Sequence, residues 1–361
     1  MKPQRIVIKV GTNVLQRANG KLDYNIINDL GEQIAAIHKM GVEVLFVTSG
    51  AVGAGREICE FEDQKRTLIR KQILASVGQV RLMQIYSDFF LEHQIIIAQI
   101  LLTRSHFGDR SSYLNIRNTL DGLLDAGILP VINENDVVAT EELALNFGDN
   151  DQLAVYVAAL AGADHLFFLT TTPGLLKFND AGEGELVPEV QEYSDALLKL
   201  CKPTKSSGGT GGMDSKIKSA GLGASFGIET HIVDGKAPNV VLKILKGEKQ
   251  GTRFIPNGKK IKSYQKWLAA GAMSKGKLVI DAGAEQALRN NKSLLIRGIR
   301  QIEGSFELKD LVTIYNLDGK KIGVGQAKMS HKELKDYLNT TTADNTSTGK
   351  IAIHCDQLFL E

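Results

Sequence analysis

Four short polar clusters carry residue types suited to handling phosphate. The first, Lys9-Val10-Gly11-Thr12-Asn13, ends an apolar run in a lysine and then a glycine. Glycine lets the backbone approach an anion closely, and lysine neutralises charge on a phosphoryl group in transfer. A surface lysine before a turn glycine gives the same letters, so this cluster alone has little specificity. The second, Thr48-Ser49-Gly50-Ala51-Val52-Gly53-Ala54-Gly55, sets three glycines in six residues directly after another apolar run. Backbone N–H groups there can hold an anion, although G-K-[ST] of the Walker pattern is missing. A third pairs Asn133-Glu134-Asn135-Asp136 with Gly148-Asp149-Asn150-Asp151. Asp149 or Asp151 there suits both a helix cap and a ligand contact. The fourth runs from Ser206 to Lys216, with four glycines in five residues leading into an amphipathic stretch. A loop closing over polyphosphate, with a helix N-terminus behind it, explains that pattern better than a flexible linker.

Elements that would position these clusters follow from periodicity. Up to about residue 235, β-branched runs alternate with stretches of helical spacing, the pattern of βαβ units around a largely parallel sheet. Strands are expected at Arg5–Val10, Val42–Thr48, Ile95–Leu102, Ile128–Asn133, His165–Thr170 and Glu229–Val233. Helices are expected at Tyr24–Lys39, Lys71–Glu92, Ser111–Asp125, Asp151–Ala161 and Met213–Phe226. Ligands of open α/β sheets collect beyond the carboxyl ends of the strands, where these clusters fall. From Gly247 to Gly276 the chain turns rich in Lys and Gly, as an interdomain connection would. Short strands at Lys277–Ile280, Ser293–Ile296, Leu311–Asn316 and Lys320–Ala327 then suggest a small β-rich domain. The expected division is 1–255, a linker 256–274, and 275–361.

Composition excludes several classes. The 361 residues are 43% hydrophobic and 23% charged with a net charge of +2, so no global field points to nucleic acid or a membrane surface. Residues 260–361 hold 16 Lys+Arg against 11 Asp+Glu, while the rest hold 27 against 30. That contrast permits an RNA-facing tail without demanding one. The N-terminus lacks a leader pattern and no apolar run reaches bilayer length, so a cytoplasmic location is expected, with no membrane partner. Cys59, Cys201 and Cys355 are odd in number and far apart, as in a reducing compartment. The seven histidines form no pair at a helical metal-ligand spacing, and no residue is assigned to a metal.

Taken together, Lys9 to Val14, Ser49 to Arg56, Asn133 to Asp136, Gly148 to Asp151 and Thr210 to Lys216 resemble bacterial glutamate 5-kinases of the amino-acid kinase superfamily, in the same order. The tail from about Lys277 looks like the PUA domain many of them carry. The fold implied is an α/β sandwich of amino-acid-kinase type with a largely parallel central sheet, followed by that small PUA-like domain. The activity implied is an ATP-dependent phosphotransferase acting on the γ-carboxylate of L-glutamate, giving L-glutamyl 5-phosphate, the first step of proline synthesis. By the resemblance Lys9 and Lys216 flank the phosphoryl group and Asp151 orients them. Ser49, Gly50, Ala51, Asn133, Asp136, Asp149 and Asn150 hold glutamate. Lys9, Gly11, Thr12, Thr170, Thr171, Thr210, Gly211, Gly212, Met213, Asp214, Ser215 and Lys216 meet the nucleotide, with Mg2+ carried on ATP. A homo-oligomer (dimer or tetramer), proline as feedback inhibitor and RNA as a ligand of the tail are also implied, with Thr103 to Tyr113 as the regulatory region. Ser105–Arg110 on its own reads as a solvated connection.

The chain departs from the resemblance at one place. The family commonly reads Leu-Thr-Asp after its nucleotide-side strand, whereas here Leu169-Thr170-Thr171-Thr172-Pro173-Gly174 follows. A hydroxyl holds a nucleotide less strongly than an ionised acceptor. Two other readings use the same residues: a sister kinase acting on acetylglutamate, carbamate or a nucleoside monophosphate, and an RNA-binding protein working through its tail.

Overall fold

The computed structural model describes residues 4–59, 67–138, 150–179, 183–194, 197–198, 212–256, 267–268, 274–340 and 349–360. The chain divides into two units, Met1–His106 with Leu114–Lys260, and Phe107–Tyr113 with Ile261–Glu361. Among the described residues no helix is long and apolar enough to cross a membrane.

Residues 107–113 apart, the first unit runs β1 (Arg5–Val10), α1 (Thr12–Leu15), α2 (Tyr24–Lys39), β2 (Glu43–Val47), α3 (Ala51–Ile58), α4 (Leu68–Glu92), β3 (Ile97–Leu102), α5 (Arg104–Gly108), α6 (Arg110–Asp125), β4 (Leu129–Glu134), α7 (Asn150–Ala161) and β5 (His165–Thr170). It continues with β6 (Leu176–Phe178), β7 (Gly184–Leu186), β8 (Glu189–Val190), α8 (Met213–Ser225), β9 (Glu229–Asp234), α9 (Val240–Leu245) and β10 (Thr252–Phe254). Eight strands form one sheet in the order β3-β4-β2-β1-β5-β9-β10-β8. β3, β4, β2, β1, β5 and β9 are mutually parallel, and β10 turns antiparallel to β9. The largely parallel α/β core expected from periodicity is present.

Parallel strands covered on both faces must be apolar throughout, and every residue of β1 is buried. Ile6, Ile8 and Val10 join Phe46, Val131, Phe167, Leu169 and the α2 residues Ile27, Leu30, Ile34 and Ile37 in one core. α7 is apolar all round after its first turn, because Leu153 through Ala161 are all buried. Strand β10 lies in the stretch read as a connection from Gly247. Its three residues and the hairpin β6–β7 are too short for a periodic signal.

The Ser105–Arg110 expectation is corrected. It forms most of α5 and the start of α6 rather than a solvated connection, and Phe107 within it and Tyr113 just after it are buried. Phe107–Tyr113 group with the second unit, where the Arg110 guanidinium lies over the rings of Tyr113 and Trp267, 5.4 and 5.3 Å from their centroids.

The second unit holds β11 (Gly276–Ile280), α10 (Ala282–Arg289), β12 (Leu294–Leu295), β13 (Ile299–Gly304), β14 (Leu311–Tyr315), β15 (Lys321–Gln326), α11 (His331–Thr340), β16 (Ile351–Ile353) and β17 (Leu358–Leu360). A five-stranded sheet β13-β11-β14-β15-β17 and the pair β12-β16 enclose Leu278, Ile280, Ile296, Phe306, Val312, Ile314, Ile322 and Leu334. The β-rich character is as expected; α10, α11, β13, β16 and β17 are additions.

Candidate active site

The parallel arrangement carries the ends of β1, β2, β4, β5 and β9 to one edge of the sheet. Lys9, Thr48, Asn133 and Thr170 all sit at or just past those ends. Lys9 points into the protein, with 2% of its surface exposed. Its ammonium donates to Oδ1 of Asp151, in the first turn of α7, and Lys216 donates to Oδ2 of the same carboxylate at 3.0 Å. Asp151 has no exposed surface. The three residues predicted to be catalytic therefore meet through one buried anion, across 142 and 65 positions of chain. Two lysines of the described residues thus share one carboxylate beside the strand ends. Isolated buried cations are strongly disfavoured, so Asp151 is what allows the lysines to be held dry.

Asn150, one residue earlier, faces a second group. Its Nδ2 donates to the Thr48 carbonyl at 2.7 Å, Asn133 Oδ1 at 2.9 Å and Ser49 Oγ at 3.1 Å. Asn133 in turn donates to Gln79 Oε1 at 2.8 Å. Thr48 Oγ1 lies 2.7 Å from the Tyr86 hydroxyl, and burial pushes that phenol far up, so it remains protonated. Ser49, Asn133 and Asn150 are thus brought together. Gly50 and Ala51 open α3, and Gly50 adopts φ +101°, a left-handed conformation that a side chain disfavours. α3 lies close on α4: a Cβ at Gly78 would fall 1.8 Å from the Ala51 carbonyl, so a glycine is required there. Asp136 stands at the edge of this group. Burial pushes its carboxyl up, and Lys71, 3.9 Å away, partly opposes that shift.

On the other side, Gly11 caps α1 and its N–H donates to the Leu169 carbonyl at 3.3 Å; an added Cβ would lie 3.9 Å from the Lys9 ammonium. Thr12 begins α1. Thr170 is buried at the end of β5, and Thr171 is exposed just beyond it. Gly212 caps α8, which starts with Met213, Asp214 and Ser215 and buries Lys216 in its first turn. Asp149, Thr210 and Gly211 lie outside the described residues. Gln79 and Tyr86 escaped the sequence reading. Gln79 and Tyr86 belong to a helix read only as a crossover, and their cue was two large polar groups on its buried face.

Both oxygens of Asp151 accept from lysines, so this carboxylate anchors the two cations. The arrangement fits Mg2+ as an ion carried by nucleotide phosphates and water, not by a protein cage. What the site offers is two cations beside a hydrogen-bonded polar cluster, suited to moving a phosphoryl group onto an anionic acceptor.

Comparison with known proteins agrees with this chemistry. The model of the Amino acid kinase family matches residues 4–234, and that of the PUA domain matches residues 276–347. Glutamate 5-kinase of Dehalococcoides mccartyi is 40% identical over 99% of this chain and 98% of its own. Glutamate 5-kinase of Caldanaerobacter subterraneus is 42% identical over 94% of the chain and 92% of its own. That of Deinococcus radiodurans is 38% identical over 99% of both. Sharing that identity from end to end, with both domains present, the chain belongs to the glutamate 5-kinase family.

Proposed function

We infer that the chain transfers the γ-phosphoryl group of ATP to the side-chain carboxylate of L-glutamate, giving L-glutamyl 5-phosphate and ADP in the first step of proline biosynthesis. The observation that carries the mechanism is the single buried carboxylate of Asp151 holding Lys9 and Lys216 together. An oxygen of the glutamate carboxylate forms the new P–O bond as the β,γ-bridging P–O bond breaks, and ADP leaves with the electron pair. A carboxylate with a pKa of about 4.3 is already ionised at neutral pH, so no general base is needed. Negative charge spreads over the phosphoryl oxygens during transfer, and Lys9 and Lys216 are placed to offset it. Mg2+ on ATP supplies further charge neutralisation. Backbone N–H groups at the starts of α1 and α8 take the phosphates, and Thr170 and Thr171 face the nucleotide. Ser49, Gly50, Ala51, Asn133 and Asn150 seat glutamate. The test is ADP release and acyl phosphate trapped as hydroxamate, with L-glutamate, N-acetylglutamate, carbamate and UMP compared. Hydroxamate only with glutamate is expected; turnover confined to another acceptor overturns the reading.

In this reading the Asp136 carboxylate pairs with the glutamate ammonium. Its folded pKa lies above the usual value, so the charge is present at high pH and is lost as pH falls through that raised value. The KM for glutamate should therefore rise on acidification, above the range where an ordinary carboxylate titrates. Asp136→Asn should have a high KM that is flat across the same range. A wild-type KM that stays flat there would show that Asp136 does not hold the ammonium.

Thr171 supplies a second expectation. A carboxylate at this exposed position accepts hydroxyl or amino hydrogens more strongly than threonine does. Thr171→Asp should lower the KM for ATP about 3–10-fold and change the ATP/GTP preference, read from steady-state kinetics with both nucleotides. Unchanged values for both would remove Thr171 from the nucleotide site.

A cytoplasmic location fits an enzyme that draws on ATP. A homo-oligomer is supported by Ile69, Ile73 and Val80, which expose an apolar stripe along one side of α4.

A further inference from the structure

At the opposite end of the strands from the lysines, His165 opens β5 and Glu229 opens β9, and the two are direct partners in the parallel register. Phe167 and His231 form the next pair on the same face. His231 Nε2 lies 3.1 Å and His165 Nδ1 lies 3.6 Å from the same oxygen, Oε1 of Glu229. One nitrogen of each histidine and that oxygen all fall within 4.8 Å of one another, the one such group of metal-ligand type among the described residues.

We propose that His165, Glu229 and His231 form a site for a divalent transition-metal ion of the zinc type, separate from the phosphoryl-transfer centre. A tetrahedral zinc ion with bonds of about 2.0–2.1 Å holds its ligand atoms roughly 3.3–3.4 Å apart. The two nitrogen–oxygen distances straddle that spacing, and the three ligand atoms lie within 4.8 Å of one another, so the imidazoles turn toward each other to close on the ion. Two imidazoles and one carboxylate are a donor set that suits zinc and its neighbours rather than Mg2+ or Ca2+.

The surroundings prepare these donors. The His231 ring stacks on Phe167, centroids 4.8 Å apart at 12°, which fixes its plane. Glu229 Oε2 accepts from Arg253 Nη2 at 2.6 Å, turning Oε1 toward the histidines as outer partners of metal ligands do. Arg253 is about half exposed, so water screens much of its charge. His165 Nδ1 is buried and makes no hydrogen bond, a loss that an ion would remove. Burial holds the His165 imidazole below its ordinary pKa and so neutral, while hydrogen bonding from His231 holds Glu229 down at about 2. His165 and Glu229 each keep 21% of their side-chain surface open, which leaves an entry path and room for water as a further ligand. The ion would tie β5 to β9 about 17 Å from Thr170, taking five steps of roughly 3.3 Å along β5. Turnover therefore does not depend on it.

The test uses the full chain stripped of metal, without ATP, titrated with Zn2+ against a chromophoric chelator and separately with Co2+. One equivalent should bind, with the visible bands of four- or five-coordinate cobalt and no thiolate charge-transfer band, and Zn2+ should raise Tm. His165→Gln should weaken Zn2+ at least 10-fold and abolish the Tm rise, with kcat unchanged. Absence of binding at micromolar Zn2+, a thiolate band, or equal affinity in His165→Gln overturns the proposal. Should His165→Gln melt well below the stripped wild type, the stoichiometry and cobalt spectrum of the unaltered chain decide alone.

Discussion

Lys216→Ala should lower kcat by about 10²–10⁴-fold while the protein stays folded and the KM for glutamate changes little, and Lys9→Ala should do the same. Each lysine ends on the one buried carboxylate, and on the proposed mechanism each deletion removes a cation that faces the transferring phosphoryl group. The glutamate-side network of Asn150, Ser49 and Asn133 involves neither lysine, so ground-state seating of the acceptor persists. A loss confined to kcat is the signature of an interaction made chiefly in the transition state. Near-normal turnover in either variant, with melting curves showing it folded, would remove that lysine from the chemistry. A raised KM with unchanged kcat would make it a binding residue only.

Asp151→Asn should be the more damaging change, because it acts on stability and catalysis together. It leaves two buried ammonium groups facing a neutral amide. Removing one partner of a buried ion pair costs about 3–5 kcal/mol, which corresponds to a fall of roughly 6–20 °C in the melting temperature of a unit this size. Turnover should fall by about 10³-fold or more, since neither lysine keeps its aim. The triple replacement Asp151→Leu with Lys9→Met and Lys216→Met separates the two effects. Apolar groups of similar volume replace a buried ionic cluster at little cost, so most of the lost Tm should return while activity stays absent. A single Asp151→Asn variant that melts within 2 °C of wild type, a margin of about 1 kcal/mol or less, would show that the carboxylate does not hold the lysines.

Much of this site was legible because its parts are local. Lys9-Val10-Gly11 and Thr48-Ser49-Gly50 each follow a run of apolar residues, and a glycine beside a polar group at a strand end carries its own meaning. Their convergence was not legible from spacing. Lys216 and Asp151 are 65 residues apart and meet only because α7 and α8 start at the same edge of the sheet. Gln79 was missed for the same reason, since its partner Asn133 arrives on β4 from 54 residues away. The histidines show the limit most plainly. No helical spacing links His165 to His231, and strand pairing brings them within reach of Glu229.

In the second unit the short elements hid from periodicity but not from capping chemistry. Ser330-His331-Lys332-Glu333 is a capping box: the Ser330 N–H donates to Glu333 Oε2 at 2.7 Å, and the Glu333 N–H donates back to Ser330 Oγ at 3.3 Å. Asp281 likewise accepts from the Ala284 N–H at 2.8 Å and starts α10. Both signals stood in the sequence and would have placed α10 and α11. Ser105–Arg110 is the reverse case. Its polar letters read as solvated loop, yet Phe107 among them has no exposed surface. One buried aromatic anchors a short helix more effectively than its composition suggests.

The central claim is that a carboxylate oxygen of glutamate itself attacks the γ-phosphorus of ATP, steered by Lys9 and Lys216. L-glutamate carrying ¹⁸O in its γ-carboxylate, turned over with Mg-ATP and captured with hydroxylamine, reports on it directly. Attack through the carboxylate leaves one ¹⁸O in the phosphate released on capture, together with one hydroxamate for each ADP. Unlabelled phosphate would mean that water took the phosphoryl group, and the acyl-phosphate mechanism would be wrong.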